Sequence, residues 1–120
     1  MIKAGSIAAC LLCVSAPAFA AATLSVPLEL GPNSEITTTI YACDNQTFSV
    51  QYINTANNNL ALIQIDGKER VFVNVIAGSG ARYVAGEYEW WTKGNTANFS
   101  NTMKEGSTQE CVSREAPSRN

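Results

Sequence analysis

Two short segments near the middle of the chain hold the side chains best placed to do chemistry. One is Gly78-Ser79-Gly80-Ala81-Arg82-Tyr83 and the other is Trp90-Trp91-Thr92-Lys93-Gly94-Asn95-Thr96-Ala97. The first sets a hydroxyl between two glycines. Glycine reaches backbone conformations that other residues avoid, so such a loop turns sharply and approaches a partner closely. The second sets an ammonium, with its three donors, directly before a Gly-Asn turn. Neither segment has the parts of a catalytic machine. The chain has no histidine, so the commonest general base and the commonest metal ligand are both missing. A nucleophilic Ser79 would need a lysine base. Together the segments suit a plug, a hydroxyl and a cation offered to an acidic recess. Taken singly, Ser79 reads as an ordinary inter-strand turn and Lys93 as a solvated hairpin tip.

Other constellations are weaker. Trp90 and Trp91 are adjacent, so on a strand they face opposite sides, one toward a core and one toward the rim. Trp91 then shares a face with Lys93. An outward tryptophan is an interface anchor or a platform for stacking on sugar rings. Glu87 and Glu89 lie two apart and read as a solvated strand edge, not as the opposed carboxyl pair of a glycosidase. Asn45-Gln46-Thr47 and Asn98-Phe99-Ser100 are glycosylation sequons that matter only in a eukaryotic secretory route. The chain shows neither a phosphate-binding loop nor metal-ligand spacing, so no cofactor is expected.

These side chains need a scaffold, and its limits are set early in the chain. Lys3 gives a positive start, Ile7 to Val14 an apolar stretch, and Ala18-Phe19-Ala20 a small-x-small site. Residues 1–20 therefore read as an export signal cut after Ala20, too short to remain as a membrane span. Ile7-Ala8-Ala9-Cys10 resembles a lipoprotein box only superficially, because most of the apolar stretch follows Cys10. Removing residues 1–20 takes away Lys3, Cys10 and Cys13. It leaves 7 basic against 10 acidic residues, a formal charge of −3. That excludes the basic patch of a nucleic-acid binder and steers a basic partner only weakly.

Cys43 and Cys111 remain. In an exported chain an even pair reads as one disulfide, the alternative being two buried thiols. The bridge would close a loop of nearly seventy residues, which the chain-entropy account values at about 4 kcal/mol.

The exported part, at 100 residues, is one domain, and its patterning is all-β. Phe48, Val50 and Tyr52 alternate with Ser49 and Gln51, and Ile36, Thr38 and Ile40 alternate with Thr37 and Thr39. Asp66-Gly67 between Ala61–Ile65 and Arg70–Val75 is a type I′ hairpin signal. Strands follow at Ala81–Ala85, Tyr88–Lys93, Thr96–Ser100 and Thr108–Val112, with Gly94-Asn95 as a second hairpin turn of the Gly-first kind. About eight short strands with no helical period predict a small antiparallel barrel or sandwich. A Cys43–Cys111 bond would tie its first strand to its last and protect the edges. Residues 21–33, where Pro27 interrupts Leu24, Val26, Leu28 and Leu30, read as an arm or edge strand. The domain spans 21–112, and 113–120 read as a polar, disordered tail.

The chain resembles the MliC/PliC group, the membrane-bound and periplasmic inhibitors of c-type lysozyme. The resemblance runs from about Ile40 to Val112. It rests on Tyr41-Ala42-Cys43, Val50-Gln51-Tyr52, Ser79-Gly80-Ala81-Arg82-Tyr83, Trp91-Thr92-Lys93-Gly94 with Ala97, and Cys111. It implies an eight-stranded antiparallel β-barrel with one disulfide. It also implies a lysozyme-binding surface made of Ser79, Gly80, Ala81, Arg82, Tyr83, Trp91 and Lys93. By the same resemblance the loop is expected to enter the enzyme's cleft, with Ser79 and Lys93 engaging the two catalytic carboxyls. The Ala18-Phe19-Ala20 site favours the periplasmic form. Two other classes compete: a carbohydrate-binding module stacking glycan rings on exposed Trp91 and Tyr83, and, more weakly, a small carboxylate hydrolase. A homodimer through an exposed edge or the arm is compatible with the sequence, and nothing in the sequence demands one.

Overall fold

A computed structural model describes residues 4–5, 8–16 and 22–114. The expected cleavage site at Ala18-Phe19-Ala20, Lys3 and residues 115–120 lie outside the described residues. Eight strands follow in order: β1 (Glu35–Ala42), β2 (Thr47–Asn54), β3 (Asn59–Ile65), β4 (Lys68–Val75), β5 (Ala81–Ala85), β6 (Tyr88–Lys93), β7 (Thr96–Asn101) and β8 (Gln109–Arg114). Each pairs antiparallel with its neighbour, and β1 pairs with β8 to close a barrel. The barrel, not the sandwich, is the architecture.

Turn chemistry sets the hairpins. Asp66 and Gly67 both take positive φ, 52° and 74°, as a type I′ turn demands. At Gly94-Asn95 only the glycine does, at 57°, which suits the Gly-first turn. The connections alternate between the two ends of the barrel. Residues 55–58, 76–80 and 94–95 cap one end, from which the N-terminal arm also leaves. Residues 43–46, 66–67, 86–87 and 102–108 cap the other.

Alternate residues point inward. Phe48, Val50, Ala61, Ile63, Phe72, Tyr83, Trp90, Ala97, Phe99 and Cys111 are buried. Trp90 is wholly buried, and Tyr41 and Phe48 meet its ring edge-on at 4.9 and 5.8 Å. Its indole N–H donates to the Tyr52 hydroxyl at 2.9 Å, and that hydroxyl shares a 2.8 Å bond with Tyr41. The largest side chain of the core therefore brings its one polar atom to a partner. Burial, reinforced by the bond to Tyr41, pushes the Tyr52 phenol well above its ordinary range.

Cys43 and Cys111 are joined in a disulfide. It lies beside the closing seam, where β1 and β8 share only three pairs: Ile40 with Arg114, Tyr41 with Ser113 and Ala42 with Val112. The bond staples the closing seam. Cys10 and Cys13 are free and exposed.

Two readings left open are decided and two expectations change. Of the arm and the edge strand, the structure has the arm, with no strand between residues 22 and 34. Leu24 and Val26 stay exposed, and Pro27 removes a ladder donor. The last strand runs on to Arg114, two residues beyond its expected end, because β1 supplies partners for Ser113 and Arg114. In β1 the alternation holds and its isoleucine side is the outer one: Ile36 and Ile40 are exposed while Tyr41 is buried. With period two, placing Tyr41 beside Trp90 decides the side of every other residue in the strand. Glu87 is not on a strand, since it sits in the turn between β5 and β6.

Candidate functional site

The loop between β4 and β5 and the turn between β6 and β7 share one end of the barrel. β5 and β6 are paired with Ala81 opposite Thr92 and Arg82 opposite Trp91. The residues just before β5 therefore lie beside the last residues of β6. This register brings Ser79 and Lys93 into one neighbourhood.

The loop is pinned there. The indole N–H of Trp91 donates to the Ser79 carbonyl at 2.8 Å. Thr92 Oγ1 donates to the Ala81 carbonyl at 3.3 Å. Gly80 sits at φ 65°, and a Cβ there would run into the Thr92 carbonyl oxygen and come within 2.8 Å of Lys93 Cγ. Glycine is thus required twice, for its backbone conformation and for the close approach of loop to strand. Ser79 itself is exposed, and its hydroxyl makes no hydrogen bond among the described residues.

The turn is braced as well. Thr96 Oγ1 donates to the Lys93 carbonyl at 3.0 Å, and the Ser113 N–H donates to the Asn95 carbonyl at 2.8 Å. Lys93 leaves this turn with its ammonium 5.1 Å from the centre of the Trp91 ring, within cation–π range. It is exposed and has no carboxylate within ion-pair distance among the described residues.

Arg82 differs. Its guanidinium carbon lies 5.8 Å from the same ring, but its Nε donates to Glu89 Oε2 at 2.7 Å. Glu89 is held in an ion pair, so the solvated edge expected of Glu87 and Glu89 does not exist. Its charge cancels that of Arg82. The surface offers two cations by composition and one by geometry, at Lys93.

Of the other sequence-predicted residues, Ala81 is half-buried against the core. Tyr83 is turned inward, 5% exposed, with its ring 5.7 Å from that of Tyr52. Burial pushes its phenol above the ordinary range, helped by Tyr41. Tyr83 anchors β5 from inside and offers no outer face. That removes half of the two-aromatic platform on which a carbohydrate-binding module would rest. Trp91 is half-buried at the rim, as expected of the outward member of its pair. Among the described residues no group of three or more His, Cys, Asp or Glu side chains is placed to hold a metal, and no helix is long and apolar enough to cross a membrane.

Sequence reasoning missed two features here. One is the Arg82–Glu89 pair. The other is Ile76, 97% exposed at the start of the loop. Its only signal was an isoleucine following Val75 where the strand pattern stops.

The chain is 45% identical over 74 residues to the membrane-bound lysozyme inhibitor of C-type lysozyme of Pseudomonas aeruginosa, covering 60% of this chain and 58% of that protein. It is 45% identical over 65 residues to the protein of the same name from Cupriavidus necator, covering 53% and 52%. The matched stretch thus spans a little over half of each relative's length. The fold resembles P. aeruginosa MliC as crystallised in complex with hen egg white lysozyme, with a TM-score of 0.64, 35% identity, and coverage of 79% of this chain and 97% of that one. It also resembles PliC of Salmonella typhimurium, a periplasmic lysozyme inhibitor, with a TM-score of 0.60, 31% identity, and coverage of 68% and 100%. Residues 41–108, more than half of the chain, match the family profile of the membrane-bound lysozyme inhibitor of c-type lysozyme, and the chain belongs to that family, MliC.

Proposed function

We propose that this protein is an exported inhibitor of c-type lysozyme that acts in the periplasm and is not itself an enzyme. It occludes the active-site cleft with the loop around Ser79 and the side chain of Lys93. The observation that carries this reading is the shared support of the two groups. One indole, Trp91, holds the Ser79 carbonyl at 2.8 Å and lies 5.1 Å from the Lys93 ammonium. A hydroxyl and an unpaired cation are therefore presented together from a braced surface.

The chemistry of the target fits. Lysozyme, the standard example of environment-tuned carboxyls, keeps one as an acid and one ionised. An ammonium complements the ionised group through a charge-assisted hydrogen bond, and a hydroxyl donates to or accepts from the other. No glycosidic bond is offered for cleavage. Because loop and turn are already fixed, little conformational entropy is lost on docking.

The test is to mix the protein with a c-type lysozyme and cell-wall substrate. Inhibition that titrates to a defined stoichiometry supports the proposal. Retention on peptidoglycan with lysozyme activity untouched would replace it with a glycan-binding role, and bond cleavage by the protein alone would replace it with hydrolysis.

A further inference from the structure

The outer face of the barrel beside the loop is apolar to an unusual degree. Five consecutive strands contribute one aliphatic residue each to a single cross-strand row: Ile36 opposite Ile53, Ile53 opposite Leu60, Leu60 opposite Val73, and Val73 opposite Val84. Directly paired residues in a sheet share a face. Ile36 and Val73 are about half exposed, at 52% and 50%, and Ile76, where β4 runs into the loop, is 97% exposed. Scattered surface aliphatics need no explanation, but a contiguous row does.

The row is uncharged along its length. It ends where Val84 pairs with Glu89, the residue neutralised by Arg82 at 2.7 Å. The other flank of the loop is different: the exposed outer positions of β7 are Thr96 and Asn98. The surface around Ser79 is thus lopsided, aliphatic toward β1–β5 and polar toward β7.

We propose that this aliphatic shoulder is the second half of the lysozyme interface. It seats against an apolar lip of the enzyme's cleft, with Ile76 as the anchor that enters it. The inference rests on the reading of Ser79 and Lys93 as the inserting groups. Its own support is continuity. Ile76 stands two residues before Gly78, directly after the end of β4, on a loop whose far end is held at Ser79 and Gly80 against β6. Ile76 and Ser79 belong to the same five-residue connection, and the row begins on the strand that leads into it, at Val73. An exposed aliphatic on a fixed loop loses little entropy when covered and gains its full transfer free energy. A central apolar anchor ringed by polar contacts is the usual anatomy of a tight interface. The shoulder supplies affinity that does not depend on charge, while Lys93 supplies the electrostatic part.

Binding kinetics on a c-type lysozyme test this with Ile76→Thr, Val73→Thr, Asn98→Ala and Lys93→Ala. Both threonine substitutions keep a β-branched side chain at outward positions, so the fold stands, and far-UV dichroism with a melting curve checks it. Ile76→Thr is expected to speed dissociation about tenfold and Val73→Thr about threefold, with Asn98→Ala inside about twofold. Raising salt to about 0.5 M shrinks the Lys93→Ala effect and leaves the Ile76→Thr effect in place. If Lys93→Ala weakens binding while both threonine variants bind like wild type, the shoulder is overturned and the cleft reading survives. If Ile76→Thr instead changes self-association in sedimentation and leaves lysozyme binding intact, the shoulder is covered by a second copy and the inference is wrong. If the wild-type protein does not bind lysozyme at all, both readings fall together.

Discussion

The indole N–H of Trp91 donates to the backbone carbonyl of Ser79 at 2.8 Å, across twelve residues of chain. A strand thereby holds a loop that has no regular structure of its own. The residue that looks like a surface anchor in the sequence is at least as much a clamp. Trp91→Phe separates the two roles, since it keeps a ring for Lys93 and removes the donor. A neutral hydrogen bond contributes about 1 kcal/mol, so inhibition of lysozyme should weaken roughly fivefold. Amide exchange at residues 78–80 should accelerate while the melting temperature moves little. Unchanged exchange with weaker inhibition would instead assign Trp91 a direct contact.

Gly80→Ala should be harsher. The new Cβ meets the Thr92 carbonyl oxygen and the Lys93 stem, and alanine disfavours φ 65°. The loop must shift away from β6 and carry Ser79 with it. Lysozyme inhibition should fall by about fivefold or more, since backbone strain of this sort costs about 1–3 kcal/mol. The barrel core lies elsewhere and should remain intact by near-UV dichroism. Wild-type inhibition by this variant would mean that loop position is unimportant.

Arg82 and Lys93 look equivalent by composition and differ in structure. Arg82 is already paired with Glu89, the two side chains being 35% and 17% exposed. Arg82→Ala should change the lysozyme inhibition constant by no more than about fivefold, because a partly exposed pair contributes about 0–1 kcal/mol. A loss as large as that of Lys93→Ala, with folding intact, would show that Arg82 reaches the enzyme.

Much of this was legible in the residues, and the failures have physical causes. Asp66-Gly67 announces its turn because two successive positive φ values admit few residue pairs. Cys43 and Cys111 are the only cysteines beyond residue 20, and the bond between them lies at the closing seam. Trp90 and Trp91 were bound to diverge, since neighbours on a strand face opposite ways. The same period does not decide the facing of Ile36 and Ile40. Alternation says that a strand has two faces and leaves open which is inside; Tyr41 decides it. Tyr83, offered by the motif as a surface residue, is drawn inward by pairing opposite Trp90. The Arg82–Glu89 pair is diagonal across β5 and β6, and only the register between them makes it visible. The aliphatic row from Ile36 to Val84 is a product of four registers at once.

The Tyr52 hydroxyl carries a stability prediction. It accepts from Trp90 and shares a bond with Tyr41, and burial raises its pKa. An unfolded tyrosine ionises near pH 10, before the folded one does. The folded state therefore binds more protons above that point, and stability falls with rising pH. It is fully present below about pH 10 and lost progressively above it. Tyr52→Phe leaves the Trp90 N–H and the Tyr41 hydroxyl short of a partner and should cost about 1–3 kcal/mol at neutral pH. Urea titrations at neutral pH and near pH 11 check both effects. A Tyr52→Phe protein as stable as wild type at neutral pH would show that the core replaces the hydroxyl at no cost.

Reduction of the Cys43–Cys111 bond should lower stability by about 2–4 kcal/mol. The loss should begin at the β1–β8 seam, where only three pairs hold the closure. Hydrogen exchange after reduction reads this directly: amides of Ile40–Ala42 and Val112–Arg114 should exchange before those of β3. Uniform acceleration across the barrel would contradict a local role for the staple.

The inhibition constant of Lys93→Ala against a c-type lysozyme, measured beside wild type and Ser79→Ala, bears most directly on the proposed mechanism. A cation paired with a carboxylate in a closed cleft should cost at least about 2 kcal/mol when removed, roughly 30-fold, and Ser79→Ala should cost about three- to tenfold. Wild-type inhibition by a folded Lys93→Ala protein would contradict the account.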